Sequence, residues 1–160
     1  MMSNKTISIT YKEFLKGEGL DQMDRELLSK AVDAAGSSYA PYSNFNVGAA
    51  LLLSNGEIIA ANNQENAAYP SGLCAERVAI FYANAKYPNA SIVSLAVTAS
   101  VNGKPRETPT YPCGACRHVM AESEKRAGAP IRIVVGGEKV IQVIESTASL
   151  LPFVFDNLLK

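Results

Sequence analysis

The strongest constraint on this chain is a pair of short cysteine motifs far apart in the sequence, Cys74-Ala75-Glu76-Arg77 and Pro112-Cys113-Gly114-Ala115-Cys116. Each stands at what reads as the start of a helix, so the fold must bring two helix N-termini together if the three thiols are to act as one group. The free backbone N–H groups and the positive end of the dipole at such a terminus favour thiolate over thiol. Three thiolates around zinc leave a fourth position open, the pattern of a catalytic site, whereas structural sites close with four protein ligands. A Cys-x-x-Cys pair alone also serves redox proteins and zinc ribbons, but neither use accounts for Cys74. His118 makes a poor fourth ligand, because on a helix it projects about 200° around the axis from Cys116.

Glu76 lies two residues after Cys74, where its carboxylate reaches over the open metal position as a general base. The bland use of a first-turn glutamate, a dipole contact of ~0.3–1 kcal/mol, does not explain its place beside a ligand. Arg77 answers a charge problem: three thiolates overcompensate a divalent ion, and a guanidinium donating to the sulfurs withdraws some of that excess. Arg117 is a second candidate for the same task.

Composition narrows the partners. With 160 residues and 48% hydrophobic content the chain is one domain's worth of sequence. We expect residues 1–20 to form an N-terminal extension and residues 21–160 a single domain. Lys plus Arg and Asp plus Glu both count 15, which gives no electrostatic reason for binding nucleic acid or a membrane surface. The N-terminus lacks the blocks of a secretory signal and no apolar run is long enough to span a bilayer, so a cytoplasmic location is expected. An odd number of thiols, 3 in all, fits metal ligation in a reducing compartment better than a disulfide framework.

Alternation at residues 6–14 predicts a short strand, and the three- and four-residue steps of Met23, Leu27, Leu28, Ala31, Val32 and Ala35 predict a helix over 21–35, stopped by Gly36. Apolar runs at 47–53 and 57–62, joined by Ser54-Asn55-Gly56, carry the strongest short-range hairpin signal. Helices from Cys74 to about 84 and from Cys113 or Gly114 to about 126 alternate with strands at 92–100, 131–135 and 139–145, and the apolar tail 149–155 is expected to pack on the domain. The order predicts an α/β fold with a mixed five-stranded sheet covered by helices on its faces.

First ligand, spacer and Glu, followed later by Pro-Cys-x-x-Cys, resembles the zinc deaminases. With Cys in the first ligand place, the chain resembles the small, homotetrameric cytidine deaminases over roughly residues 35–155. The blocks that carry the resemblance are Tyr39 to Ala50, Asn63 to Tyr69, the two metal motifs, and Leu150-Leu151-Pro152 with Phe155. The resemblance implies a three-layer α/β/α arrangement of the cytidine deaminase type and a homotetramer with shared active sites. Zn2+ would be held by Cys74, Cys113 and Cys116, with Glu76 as catalytic proton carrier. It further implies that Asn63 and Glu65 bind ribose hydroxyls, that Phe45 packs on the pyrimidine, and that Phe155 reaches a neighbouring subunit's pocket. After Pro152, Phe153 is a rival for that last role. Tyr69 would lie at the subunit interface, and small Ala75 would leave its backbone N–H for the pyrimidine carbonyl. His118 and Gln64 depart from the family pattern, and the first twenty or so residues have no counterpart in it.

The implied reaction is hydrolytic deamination of cytidine and 2′-deoxycytidine to uridine and 2′-deoxyuridine, with release of ammonia. A carboxylate at Glu65 would repel a phosphate, which favours a free nucleoside over a nucleotide or a strand. The rivals are a deaminase of the same fold acting on another aminopyrimidine nucleoside or base, and a zinc module that binds a protein partner.

Overall fold

The computed structural model describes residues 2–156 and forms them into one mixed sheet, three α-helices and two short 3-10 helices. The strands are β1 (Lys12–Leu15), β2 (Phe45–Leu53), β3 (Ile58–Asn62), β4 (Ile92–Val101), β5 (Lys104–Pro105), β6 (Arg132–Gly136) and β7 (Val140–Ile144). The helices are α1 (Gln22–Ala35), α2 (Ala75–Lys86) and α3 (Gly114–Ala127). The sheet runs β1-β7-β6-β4-β2-β3, with β5 paired to β4. Only β4 and β6 are parallel, joined through the α3 crossover that a parallel pair requires. Among the described residues no helix is long and apolar enough to cross a membrane.

The sheet therefore has seven strands where the sequence predicts five. The five expected strands are β2, β3, β4, β6 and β7; the additional ones are β1 and β5. Alternation at residues 6–14 predicts a strand over that whole stretch, but pairing is confined to Lys12–Leu15 against β7, and Ile7, Ile9 and Tyr11 stay exposed. The reason is the partner: β7 ends at Ile144 and the chain turns into the 3-10 helix Thr147–Ser149, so no ladder is left to continue. β5 arises from Asn102-Gly103, both at positive φ, which fold the polar stretch after β4 back onto it.

The central strands are buried on both sides, which is why 47–53 of β2 and 133–135 of β6 read as unbroken apolar runs and β4 admits only small polar residues, Ser94 and Thr98, in its buried part. Ala50, Ala96, Val134 and Val143 cluster with Leu27 and Ala31 of α1. Leu51, Leu95, Val97, Ile133 and Val135 cluster with Ala79 and Ile80 of α2 and Met120 of α3. Asp21 caps α1 by accepting from Met23 N at 2.9 Å, and Gly128, at φ 64, ends α3 in the left-handed conformation that glycine adopts without strain. Buried Asp24 on α1 takes the Arg132 guanidinium of β6 at 2.6 Å, and Arg132 also holds Glu145 at 2.8 Å, so the helix is pinned to the sheet by charge as well as by packing.

Contact between α1 and β2 depends on Gly48. A Cβ there would lie 1.8 Å from Ala31 O and 2.6 Å from Ala35 N, both backbone atoms that cannot move aside. Gly48→Ala is expected to destabilise the fold by about 3 kcal/mol or more, the upper end of overpacking, read as a lowered midpoint in urea unfolding. Gly114→Ala, at the first position of α3 with open space around it and no positive φ, serves as the control for the loss of a glycine alone.

Candidate active site

Cys74 and Cys113 occupy the N-cap positions of α2 and α3, with extended backbones at ψ 153 and ψ 167. Neither side chain makes a capping bond. A Ser, Thr or Asp there would be worth about 1 kcal/mol to each helix, so the cysteines are placed at the cost of helix stability and both sulfurs stay available. Cys116, fully buried, lies in the first turn of α3. The Sγ atoms of Cys74 and Cys113 are 3.7 Å apart, those of Cys113 and Cys116 are 3.5 Å apart, and all three lie within 4.8 Å of one another. Tetrahedral zinc with Zn–S near 2.3 Å needs sulfurs about 3.8 Å apart. Donor type and spacing thus both fit zinc.

Charge is distributed unevenly over the three thiols. Cys74 is lowered to about 5, through a hydrogen bond from Cys116 and the Arg77 guanidinium beside it, against the effect of burial. Cys116 is pushed up by sharing its proton with Cys74 and by its own burial. The Arg77 Nη2 lies 3.8 Å from Cys74 Sγ, and its buried Nε has no hydrogen-bond partner. An unpartnered buried N–H on the guanidinium that contacts Cys74 leaves this group able to take more negative charge. Arg117 goes elsewhere: Nε donates to Pro112 O at 2.8 Å and Nη1 to Leu150 O at 2.9 Å, tying the start of α3 to the C-terminal segment.

Glu76 is 3% exposed and lines the cavity over the sulfurs. Burial pushes its pKa up to about 7, opposed by a bond from its own backbone N–H and reinforced by negative charge on Cys74. The cavity has a volume of about 740 Å³, with Phe45, Val47 and Val97 on its apolar side and Asn63 and Glu65 on its polar side. That size and mixture suit a small ligand held by a few polar groups.

Asn63 and Glu65 are already at work on the protein. The Asn63 amide bridges two backbone groups of β2, accepting from Val47 N at 2.8 Å and donating to Phe45 O at 2.9 Å. The Glu65 carboxylate accepts from Tyr42 N at 2.9 Å, Ser43 N at 3.3 Å and the Ser43 hydroxyl at 2.5 Å, and the Ser43 bond holds its pKa below the usual value. Ala75 is buried as the first residue of α2, where a backbone N–H has no partner inside the helix. Tyr69 is 75% exposed and meets Tyr42 edge-on.

Phe155 is not brought to this cavity. Its backbone carbonyl meets His118 Nε2 at 2.8 Å and Asp156 pairs with Lys125, so the C-terminal segment runs along the flank of α3 with both Phe153 and Phe155 exposed. The structure adds Tyr111 and Thr110 to the cavity wall. In the sequence their only signal is adjacency to Pro112-Cys113.

Comparison with known proteins follows the same residues. A family model described as the cytidine and deoxycytidylate deaminase zinc-binding region matches residues 21–128, a span that holds both cysteine motifs. A cytidine deaminase of Halalkalibacterium halodurans is 46% identical over 101 residues, 62% of this chain and 72% of that protein. Among solved structures, the cytidine deaminase of Burkholderia pseudomallei superposes with a TM-score of 0.68 at 37% identity, covering 82% of this chain and 98% of that one. The Mycobacterium tuberculosis cytidine deaminase superposes at 0.66 and 29% identity, covering 85% and 99%.

Zinc is expected to copurify in equimolar amount when measured by atomic emission, and Cys113→Ala, which removes the sulfur bonded to both others, is expected to lose it.

Proposed function

The chain belongs to the cytidine and deoxycytidylate deaminase family, and from that premise we propose that it is a zinc-dependent hydrolase converting cytidine and 2′-deoxycytidine to uridine and 2′-deoxyuridine with release of ammonia. The observation that carries this reading is Glu76: a buried carboxyl with a pKa near 7, over a triangle of sulfurs, in a cavity sized for a nucleoside. A group poised near working pH serves as base and then as acid without a second residue.

Cys74, Cys113 and Cys116 would hold zinc, which supplies a Lewis-acid centre that lowers the pKa of a water. Glu76 takes one proton from the attacking water and delivers it to the ring nitrogen next to C4. Once the water oxygen has added to C4, Glu76 carries the second proton to the amino group, which leaves as ammonia. Arg77 offsets the surplus charge of three thiolates, supported by its contact to Cys74 and its unpartnered Nε. The N–H of Ala75 is available to the pyrimidine carbonyl.

Phe45 packs against the base. Asn63 and Glu65 bind the ribose with what their internal bonds leave over. Asn63 retains one N–H and one lone pair, and Glu65 has used three of roughly four acceptor sites. We read the two core clusters as the two faces of a three-layer α/β/α domain over residues 21–160, and the free thiols as fitting the cytoplasm. Exposed Tyr69, Phe81 and Tyr82, with Phe155 on the C-terminal segment, support a homotetramer in which Phe155 completes a neighbour's pocket.

Glu76→Gln is expected to keep zinc and fold while turnover, followed by loss of cytidine absorbance, falls by ~10²-fold or more; near-normal activity in that variant excludes Glu76 as proton carrier. Glu65→Gln is expected to weaken cytidine binding, whereas equal binding of cytidine and free cytosine by both proteins removes the ribose role. Light scattering is expected to give a tetramer, and a stable active monomer would take Phe155 out of the site.

A further inference from the structure

The residues matched by the family model begin at position 21, so β1 lies outside them. It is nevertheless joined to the cavity by a relay of three side chains. Gln142, on β7 and buried, has both ends of its amide engaged: Nε2 donates to Glu13 Oε2 at 2.8 Å, and Oε1 accepts from the Tyr111 hydroxyl. Glu13 belongs to β1, directly opposite Gln142 in the strand register. Tyr111 lines the cavity beside Cys113.

Donor and acceptor chemistry fixes the direction of this relay. An ionised Glu only accepts, so Gln142 turns its NH2 group to Glu13 and its carbonyl oxygen to Tyr111. The Tyr111 hydroxyl must then donate, and its ring is held in one orientation. Pro109 and Pro112 both lack an N–H, and the Pro112 carbonyl takes Arg117 Nε at 2.8 Å, so the backbone is anchored on the C-terminal side of Tyr111 while the Gln142 bond holds the end of its side chain. Without the Glu13 acceptor the amide of Gln142 is free to turn over, and an N–H then confronts the hydroxyl that had been donating.

We propose that Glu13, acting through Gln142, is a positioning residue for Tyr111, and that the N-terminal strand is thereby part of the pyrimidine nucleoside site. This rests on the reading of the chain as a cytidine deaminase. Tyr111 touches substrate as cavity wall and takes no part in proton transfer, so the strand governs binding and leaves the chemical step alone.

The test is Glu13→Ala in the full chain with zinc bound. KM for cytidine is expected to rise about three- to tenfold, the scale of one hydrogen bond, with kcat unchanged. Glu13→Gln, whose side-chain oxygen also accepts, is expected to restore KM. In a Tyr111→Phe background Glu13→Ala is expected to add nothing, because the relay is already cut; a merely structural role for the edge strand would add its effect there. Hydrogen exchange of the peptide spanning residues 108–113, read without substrate, is expected to quicken in Glu13→Ala. An unchanged KM, additive effects with Tyr111→Phe, or a Glu13→Gln variant as impaired as Glu13→Ala would each overturn the proposal. If the wild-type chain did not consume cytidine, the functional reading would fall, while the exchange experiment would still decide whether Glu13 holds the Tyr111 segment.

Discussion

Everything in this molecule depends on the meeting of two helix N-termini. α2 and α3 enter the same space from different crossovers of one sheet, and each presents a cysteine where a capping oxygen would ordinarily stand. The dipoles that make two positive ends repel also make thiolate cheap there, so the convergence is tolerable only with negative charge between the ends. Sulfur supplies the charge, zinc would bind it, and the Arg77 guanidinium lies 3.8 Å from Cys74 Sγ, where it opposes the excess. The doubly buried strands β4 and β6 serve this end, because their apolar residues Leu95, Val97, Ile133 and Val135 pack with Ala79 and Ile80 of α2 and Met120 of α3 on one side of the sheet.

That dependence explains what was legible in the sequence. The cysteine motifs, Glu76 and Arg77 act within four residues of one another or at helix starts, so local spacing reveals them. The Asn55-Gly56 hairpin, the Gly36 and Gly128 helix stops and the doubly buried strands announce themselves by turn chemistry and apolar runs for the same reason. The edge strand β1 was half legible: alternation marked it, but its length is set by where β7 stops, a fact held over a hundred residues away. β5 escaped notice because two residues, one of them a proline, carry no periodicity. By sequence Arg77 was the first candidate for the sulfurs and Arg117 the second, and the bonds of Arg117 to Pro112 O and Leu150 O take it away from that task.

Glu76 and Cys74 illustrate how burial and charge divide labour over a single turn. Both are deprived of solvent, which raises each pKa, yet Cys74 ends low and Glu76 near neutrality. The difference is in their neighbours. Cys74 has a thiol and a guanidinium donating to it, whereas the largest influence on Glu76 is the loss of water. A ligand must be ionised to bind metal and a proton carrier must titrate, so the low pKa of Cys74 and the near-neutral one of Glu76, two residues apart at the start of α2, suit the two roles proposed for them.

The polar side of the cavity is built on a different economy. Asn63 and Glu65 spend part of their bonding capacity on Phe45, Val47, Tyr42 and Ser43, so the start of β2 that carries the aromatic and the segment that carries the carboxylate are tied together before any ligand arrives. In the proposed binding mode the residues that hold the wall also touch the substrate and need no reorganisation, which lowers the entropy lost when the nucleoside is fixed. It also follows that their substitution acts twice, removing a ligand contact and loosening Phe45, so single-residue effects there exceed what one hydrogen bond accounts for. The Tyr111 wall opposite is braced by the same principle but from the sheet edge, with Gln142 taking the place that backbone takes for Asn63. A pocket whose walls are held by the amides of Asn63 and Gln142 has its shape set before a ligand arrives, and in the proposed binding mode that shape would bring C4 of the base to Glu76.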